Sequence, residues 1–293
     1  ALSSAQARGQ RSVQEGPGPT QTLPRAVVYT HCHLDVTDRH LGETLPAAEA
    51  LALARDAGVA RLVQVGCDVV SSSWAVDIAR VTPEVVAAVA LHPNDVPRIV
   101  AREGSAGLDD AIDHIERLAA DPHVRAVGET GLDYYRTRAE ADQQLQHESF
   151  RRHIDIAKRL DRTLVIHDRE AHGDILRILD EEGAPDRVVF HCFSGDAEMA
   201  RHCADRDWFC SFAGVVTYKS AGDLREALAV LPRSSMLVET DAPYLTPVPH
   251  RGAVNASYLV PLTVRTMAET RGEPLEQVCT DLWDNAMRAF GQW

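Results

Sequence analysis

Short apolar runs alternate regularly with longer amphipathic stretches along this chain, and this alternation limits the folds that it can adopt. The eight runs are Val27–Thr30, Arg61–Gly66, Val85–Leu91, Val124–Gly128, Thr163–Ile166, Val188–Phe190, Trp208–Phe212 and Met236–Glu239. Their near-continuous hydrophobicity is typical of strands that are buried on both faces of a parallel sheet. Helix-forming segments separate them, among them Pro46–Ala57, Asp142–Leu160, Leu224–Leu231 and Leu275–Phe290. Eight strands that alternate with helices predict an α/β fold, a (β/α)8 TIM-like barrel.

Length and composition favour one folded domain. The chain has 293 residues, of which 45% are hydrophobic, and barrels of this kind run to about 250 residues as one unit. We therefore expect a single domain over residues 25–293. Residues 1–24 are rich in Gln, Ser, Gly and Pro and lack an apolar core segment, so we expect a disordered extension and not a signal peptide. No run of about 18 apolar residues occurs, so no membrane span is expected.

Charge and cysteine usage narrow the possible functions further. Lys and Arg number 30 against 43 Asp and Glu, which gives a net charge of −13. This negative net charge argues against binding of nucleic acid over a broad positively charged surface. Any phosphate must therefore be bound locally, by a metal or by a few arginines. The six cysteines include no CxxC pair and are typical of reduced thiols in a cytoplasmic protein.

Potential metal ligands follow the predicted strands. They are His31 and His33 after the first strand, Glu129 after the fourth, His167 after the fifth, His191 after the sixth and Asp241 after the eighth. In a barrel of this type the active site lies at the carboxyl ends of the strands, where these side chains converge. A lone histidine at a strand end is more often a hydrogen-bonded structural residue. Six ligand-type residues at one end of one barrel instead indicate a metal centre.

The ligand set predicts two divalent metal ions that share Glu129 as a bridging carboxylate. The histidine pair after the first strand and Asp241 would complete one site, and the histidines after the fifth and sixth strands would complete the other. Imidazole ligands suit Zn, Ni or Mn, whereas carboxylates also admit Mg, so the identity of the ions stays open.

Six motifs make the sequence recognisable. They are THCHLD (30–35), ALHPND (90–95), GETGLDYYR (128–136), IHDREA (166–171), FHCFSG (190–195) and ETDAPYLTP (239–247). With these motifs the chain resembles the TatD family of metal-dependent deoxyribonucleases, a branch of the amidohydrolase superfamily, over essentially all of residues 25–293. The resemblance implies a TIM-like barrel of the metal-dependent hydrolase type, metal ligands that match the six residues above one for one, and removal of nucleotides from the 3′ ends of single strands. Thr30 and the pair Ala256–Ser257 depart from the family's usual acidic residue and Glu-Pro pair.

Several polar residues on the expected active face are candidates for substrate binding. Arg136, Arg169 and Arg251 follow the fourth, fifth and eighth strands, and a guanidinium offers a planar fork for phosphate oxygens. His92 and Ser194 are further candidates for contacts with phosphate.

The predicted chemistry is hydrolysis by a metal-activated water. Two divalent ions about 3.5–4 Å apart can lower the pKa of a bridging water and brace both oxygens of an in-line displacement. We assign catalytic roles to Glu129, as the bridge, and to Asp241, as the candidate general base. Tyr134 and Tyr135 are candidates for stacking on a base.

Three functions remain open at this level. The first is a deoxyribonuclease whose partner is DNA, single-stranded or at 3′ ends, in a chain with no obligate protein partner and a monomer as the default. The second is a hydrolase in which the same centre cleaves another ester, a lactone or an amide, such as an aminoacyl ester on tRNA. The third is a non-enzymatic scaffold, which the complete ligand set disfavours.

Overall fold

Eight parallel strands form one sheet in sequence order, and helices follow the strands. The computed structural model describes residues 17, 18, 20–36 and 45–293. The strands are β1 (Val27–Cys32), β2 (Val59–Val65), β3 (Val85–Val89), β4 (Val124–Asp133), β5 (Thr163–Arg169), β6 (Val188–Phe190), β7 (Phe209–Phe212) and β8 (Met236–Val238). The helices are α1 (Ala47–Asp56), α2 (Val69–Val81), α3 (Asp95–Ala119), α4 (Glu140–Arg159), α5 (His172–Glu182), α6 (Ala197–Asp205), α7 (Gly222–Val230), α8 (Val260–Arg271) and α9 (Leu275–Phe290). The predicted (β/α)8 barrel is confirmed.

The sheet curls so that β8 meets β1. The hydroxyl of Thr30 donates to the carbonyl oxygen of Val238 at 2.9 Å. The amide of His33 donates to the carbonyl oxygen of Ala242 at 3.3 Å. These contacts bring the carboxyl ends of β1 and β8 together at the mouth of the barrel. Within the described parts of the chain, no helix has the length and apolar character needed to cross a membrane.

The strands carry two separate apolar layers. One layer takes alternate residues from all eight strands, Val28, Val63, Val65, Val86, Ala88, Ala126, Val165, Val189, Phe209 and Leu237, and therefore fills the barrel interior. Phe290 of α9 joins this layer, and the guanidinium of Arg61 donates to the carbonyl oxygen of Trp293 at 2.9 Å. Helix α9 thus closes the amino end of the barrel, and the opposite end remains available for a site. The other residues of the strands pack against the surrounding helices.

Residues before position 25, where the sequence predicted that the folded domain begins, also pack on the barrel. Leu23 is buried, and its amide donates to the carbonyl oxygen of Ala57 at 3.1 Å. The hydroxyl of Tyr258 donates to the carbonyl oxygen of Pro17 at 2.5 Å. A disordered extension over residues 1–24 is therefore wrong for the described part of that range, because a buried leucine and backbone hydrogen bonds hold it on the barrel. Residues 1–16 and 19 lie outside the described residues.

Candidate metal centre

Simple strand alternation places three of the predicted ligands inside the barrel. Side chains two residues apart on a strand point to the same side. Because Val165 and Val189 belong to the interior layer, His167 and His191 also point inward. Asp241 lies four residues beyond the interior position Leu237, at the mouth.

A bulge in β1 turns the two histidines of the HCH segment inward. Between Tyr29 and Cys32, β1 advances three residues while β2 advances two. Such an irregularity re-aims the side chains beyond it, and here it leaves Cys32 in the outer layer with the helices. His31 and His33 consequently face the interior. His31 lies within β1 and not after it, as the apolar run alone had suggested, because ladder pairing does not require apolar side chains.

A second bulge aims Glu129. Between Val127 and Thr130, β4 advances three residues while β5 advances two. Val127 belongs to the outer layer, and the irregularity beside it directs the Glu129 carboxylate toward the barrel axis. Glu129 and His167 both lie inside their strands, since β4 and β5 continue beyond their apolar runs to Asp133 and Arg169.

The two carboxylate oxygens of Glu129 face two different groups of histidines. Oε2 lies 3.2 Å from Nε2 of His31 and 3.7 Å from Nε2 of His33. Oε1 lies 2.7 Å from Nδ1 of His167 and 3.3 Å from Nε2 of His191. One carboxylate therefore stands between two sets of potential ligands, as a bridging ligand would.

Asp241 completes the first group. Its Oδ1 lies 3.3 Å from Nε2 of His33 and 3.7 Å from Nε2 of His31, and those two Nε2 atoms are 3.2 Å apart. Separations of 3–4 Å between donor atoms are what the ligands of one ion have when each binds at about 2.0–2.3 Å. All six sequence-predicted ligands thus lie in one cluster at the mouth of the barrel. Their role as ligands stays a prediction.

Hydrogen bonds to the backbone select the tautomers of His33 and His92. Nδ1 of His33 lies 3.0 Å from the carbonyl oxygen of Val65 and therefore carries a hydrogen, which leaves a lone pair on Nε2. His92, beside the second group, has the opposite arrangement. Its Nδ1 accepts the amide hydrogen of Asn94 at 3.1 Å, so its hydrogen is on Nε2, 3.4 Å from Oε1 of Glu129. His92 in this tautomer is a hydrogen-bond donor and not a metal ligand.

The charge balance of the cluster fits divalent cations. Glu129, Asp133 and Glu239 are each less than 5% exposed. Across residues 20–36 and 45–293, the ion pairs that these acids form are with histidines, and no Arg or Lys side chain compensates them. Burying carboxylates without cations is costly. Together with four imidazole donors, they suit ions such as Zn, Mn or Ni.

The pKa values in the cluster reflect this concentration of carboxylates. Burial lowers the pKa of His167, but hydrogen bonds to Asp133 and Glu129 outweigh it and raise the value to about 9. Burial raises the pKa of Glu129, but His191, His92 and the hydrogen bond from His167 hold it well below its usual range. Both carboxylates that touch His167 are therefore ionised at neutral pH and attract positive charge.

Three residues outside the predicted ligand set support the cluster. Asp133 accepts a hydrogen bond from His167 Nε2 at 2.9 Å, and Glu239 lies 2.9 Å from Nδ1 of His191. The thiol of Cys67, whose pKa burial raises to about 11, points at Glu129 Oε2 from 3.9 Å. Period-two alternation could have identified Glu239, which is two residues before Asp241. No sequence pattern marked Cys67.

The substrate-binding candidates surround the mouth. The guanidinium carbon of Arg169 lies 3.9 Å from the ring centroid of Tyr135, and that of Arg251 lies 4.2 Å from the ring centroid of Tyr218. Arg136 is exposed, and Ser194 is exposed with its hydroxyl 3.2 Å from the carbonyl oxygen of Asp168. Their contacts with substrate stay predictions, as does that of His92.

Comparison with known proteins gives matches along nearly the whole chain. The sequence profile of a family described as "TatD related DNase" matches residues 29–291. The chain is 44% identical over 268 residues to an uncharacterized metal-dependent hydrolase, TatD, from Mycobacterium tuberculosis, covering 90% of this chain and 98% of that one. It is 36% identical over 266 residues to the uncharacterized metal-dependent hydrolase YcfH of Escherichia coli K12, covering 90% and 95%. The crystal structure of YJJV, a TatD homolog from E. coli, superposes with a TM-score of 0.79 at 25% identity, over 91% of this chain and 98% of that one.

Proposed function

Since this chain belongs to the family of TatD-related DNases, we propose that it is a metal-dependent hydrolase that cleaves phosphodiester bonds of DNA. The proposed substrate is a single strand, from which nucleotides are removed at the 3′ end. The proposed location is the cytoplasm, with the chain acting as a monomer. The names of the curated relatives support hydrolysis with metal dependence, and the family description supports DNA as substrate.

The observation that carries the proposal is the position of the Glu129 carboxylate between two ligand groups. His31, His33 and Asp241 would hold one divalent ion with Oε2, and the second would bind to His167 and His191 with Oε1. When bound, two such ions supply a water of lowered pKa and Lewis acidity toward a phosphate oxygen.

The chain's own residues would orient the substrate and move a proton. Burial raises the pKa of Asp241, but the hydrogen bond from His33 and the neighbouring histidines outweigh it and lower the pKa. Asp241 is therefore an ionised carboxylate at neutral pH and is able to accept a proton from the attacking water. The Nε2–H group of His92 can donate a hydrogen bond to a non-bridging phosphate oxygen.

Two arginines supply local positive charge in a chain whose net charge is negative. Arg169 and Arg251 lie at the mouth of the barrel in a chain of net charge −13. A guanidinium fork can bind phosphate oxygens in a bidentate manner. A few such contacts are enough to bind the end of one strand, as an exonuclease does. Binding along a long stretch of nucleic acid would need many more positive charges.

The test combines metal analysis with strand cleavage. Wild type and Glu129→Ala are assayed on a labelled single-stranded oligonucleotide, with and without added Mg or Mn, and the metal content per chain is measured. We expect about two ions per wild-type chain and a ladder from the 3′ end. In Glu129→Ala we expect metal loss and a drop of at least about 100-fold in rate, because the shared ligand is gone.

The control is Glu170→Ala, which removes an exposed acid near the same end of the barrel. It should keep both metal and cleavage. Full nuclease activity in Glu129→Ala, with its thermal unfolding unchanged, would contradict the assigned role of Glu129. Two bound ions without cleavage of any oligonucleotide would contradict DNA as substrate and would direct the search to carboxylic esters, lactones and amides.

A further inference from the structure

The two arginines at the mouth of the barrel are held by tyrosine rings. Arg169 lies over Tyr135 at 3.9 Å, and Arg251 lies over Tyr218 at 4.2 Å. Within residues 20–36 and 45–293, neither guanidinium forms an ion pair with an acidic side chain, although the chain has 43 acidic residues. Exposed arginines in such a chain commonly pair with acids, as Arg80, Arg159 and Arg177 do here. Stacking on Tyr135 therefore leaves the donor edge of the Arg169 guanidinium available for a ligand, whereas Arg251 also donates to the hydroxyl of Tyr218.

The pair of Arg169 and Tyr135 lies directly beside the second ligand group. His167 and Arg169 are two residues apart on β5, so their side chains point to the same side, roughly 7 Å apart along the strand. The amide of Tyr134 donates to the carbonyl oxygen of Arg169 at 3.0 Å, which fixes the chain at Tyr135 against the end of β5. A group bound next to the metal ligands on this side would meet the Arg169–Tyr135 pair.

Of the two neighbouring tyrosines, only Tyr135 is placed to receive a ligand. The hydroxyl of Tyr134 lies 2.5 Å from both His147 Nε2 and Asp174 Oδ2, so this side chain serves to tie the β4 loop to α4 and α5. Tyr135 is 45% exposed. Arg169 covers one part of its ring, and the guanidinium carbon of Arg138 lies 5.7 Å from the ring centroid, so a base would reach the exposed part of the ring beside these two groups.

We infer that Tyr135, stacked with Arg169, is a nucleobase subsite, so that the substrate is a strand with a base next to the scissile phosphodiester. This inference rests on the proposed nuclease function and adds to it the recognition of a base. A planar guanidinium held on an aromatic ring is a preformed flat surface, on which a base stacks without regard to sequence. Because the ring and the guanidinium already fix each other, little side-chain entropy is lost on binding.

The test is a double-mutant cycle between the ring and the base. The substrates are a single-stranded oligonucleotide and three versions of it in which one of the last three nucleotides at the digested end is an abasic tetrahydrofuran residue. The proteins are wild type, Tyr135→Leu and Tyr135→Phe, each checked for unchanged thermal unfolding. The readout is the ratio of kcat/KM between the intact strand and each abasic strand.

In wild type, removal of the base at one of the three positions should lower kcat/KM about tenfold, in line with one base stacked on an aromatic ring. In Tyr135→Leu the ratio at that position should approach one, because the partner of the base is absent. Tyr135→Phe keeps the ring and should keep the wild-type ratio. Arg169→Lys, which keeps the charge but not the flat surface, should reduce the ratio.

Each result separates the two proposals. If wild type cleaves intact and abasic strands equally well, or if Tyr135→Leu shows the same ratio as wild type, the base subsite is wrong and the nuclease function stands. If the metal-loaded wild type cleaves none of the strands, the nuclease function is wrong and the base subsite falls with it.

Discussion

Glu239 illustrates how one buried residue can organise two parts of the metal centre. Its carboxylate lies 2.9 Å from Nδ1 of His191 and 2.5 Å from the amide of Cys192. It also lies 3.9 Å from Nδ1 of His31, an atom that has no hydrogen-bond partner among the described residues. Glu239 thus faces one histidine from each of the two ligand groups, and orients the ring of His191 so that Nε2 points at Glu129.

Glu239→Gln should weaken metal binding and leave the fold intact. The amide has the size of the carboxylate, but its NH2 group would face a donor, either His191 Nδ1–H or the Cys192 amide. Loss of a carboxylate that orients a histidine ligand typically lowers metal affinity about 10- to 100-fold. Titration of the metal-free protein with Zn or Mn measures the effect, and Glu170→Gln serves as the control. Equal affinities in wild type and Glu239→Gln would show that Glu239 does not orient a ligand.

At the scale of elements, the close pairing of β4 with β5 positions Glu129 against His167. Gly131 lies opposite His167 in the register of the two strands. Its φ is +143°, and a Cβ at this position would lie 2.0 Å from the carbonyl oxygen of His167. A side chain would therefore force the strands apart at the point where both carry predicted ligands.

Gly131→Ala should destabilise the protein by about 2–4 kcal/mol, since overpacking and a strained φ both contribute. Gly104→Ala is the matched control: Gly104 has φ +73°, and nothing lies within 4 Å of an added Cβ. That variant should cost only about 1–2 kcal/mol from backbone strain. Urea unfolding of both variants provides the comparison. A smaller loss in Gly131→Ala than in Gly104→Ala would mean that β4 and β5 separate easily at this point.

At the scale of the whole molecule, a buried histidine joins the helical layer to the barrel. His153 of α4 is fully buried; its Nε2 accepts the amide hydrogen of Leu91 at 3.1 Å, and its Nδ1–H donates to the carbonyl oxygen of Ser149 at 2.7 Å. The bond accepted by Nε2 needs the neutral ring, because protonation would put a hydrogen on that atom. Burial accordingly lowers the pKa of His153 to about 4, from an ordinary value of 6.5.

This pKa makes global stability depend on pH. Between pH 6.5 and 4 the unfolded chain binds a proton at His153 that the folded protein does not, so the free energy of unfolding falls as the pH falls. The total loss from this residue is about 3 kcal/mol and is complete near pH 4. Urea unfolding between pH 4 and 7 should show a shallower pH dependence in His153→Gln than in wild type. Parallel curves for the two proteins would contradict the assignment.

The barrel and the set of residues at its mouth could be predicted from the amino-acid sequence. Alternating apolar runs predict buried parallel strands because burial on both faces requires apolar side chains, and the active end follows from strand direction. Helix α9 was predicted with its observed bounds, Leu275–Phe290. The convergence of His167 and His191 needed no more than a period of two along straight strands.

The directions in which the side chains of the centre point could not be predicted in the same way. The bulges that turn His31 and Glu129 inward depend on strand registers, which pair residues distant in the chain. The tautomer of His92 likewise depends on a hydrogen bond from Asn94. The choice of Tyr135 over Tyr134 depends on hydrogen bonds between the Tyr134 hydroxyl and residues of α4 and α5. Residue type and spacing specify which groups reach the mouth of the barrel, but the direction in which each one points is fixed by contacts between elements.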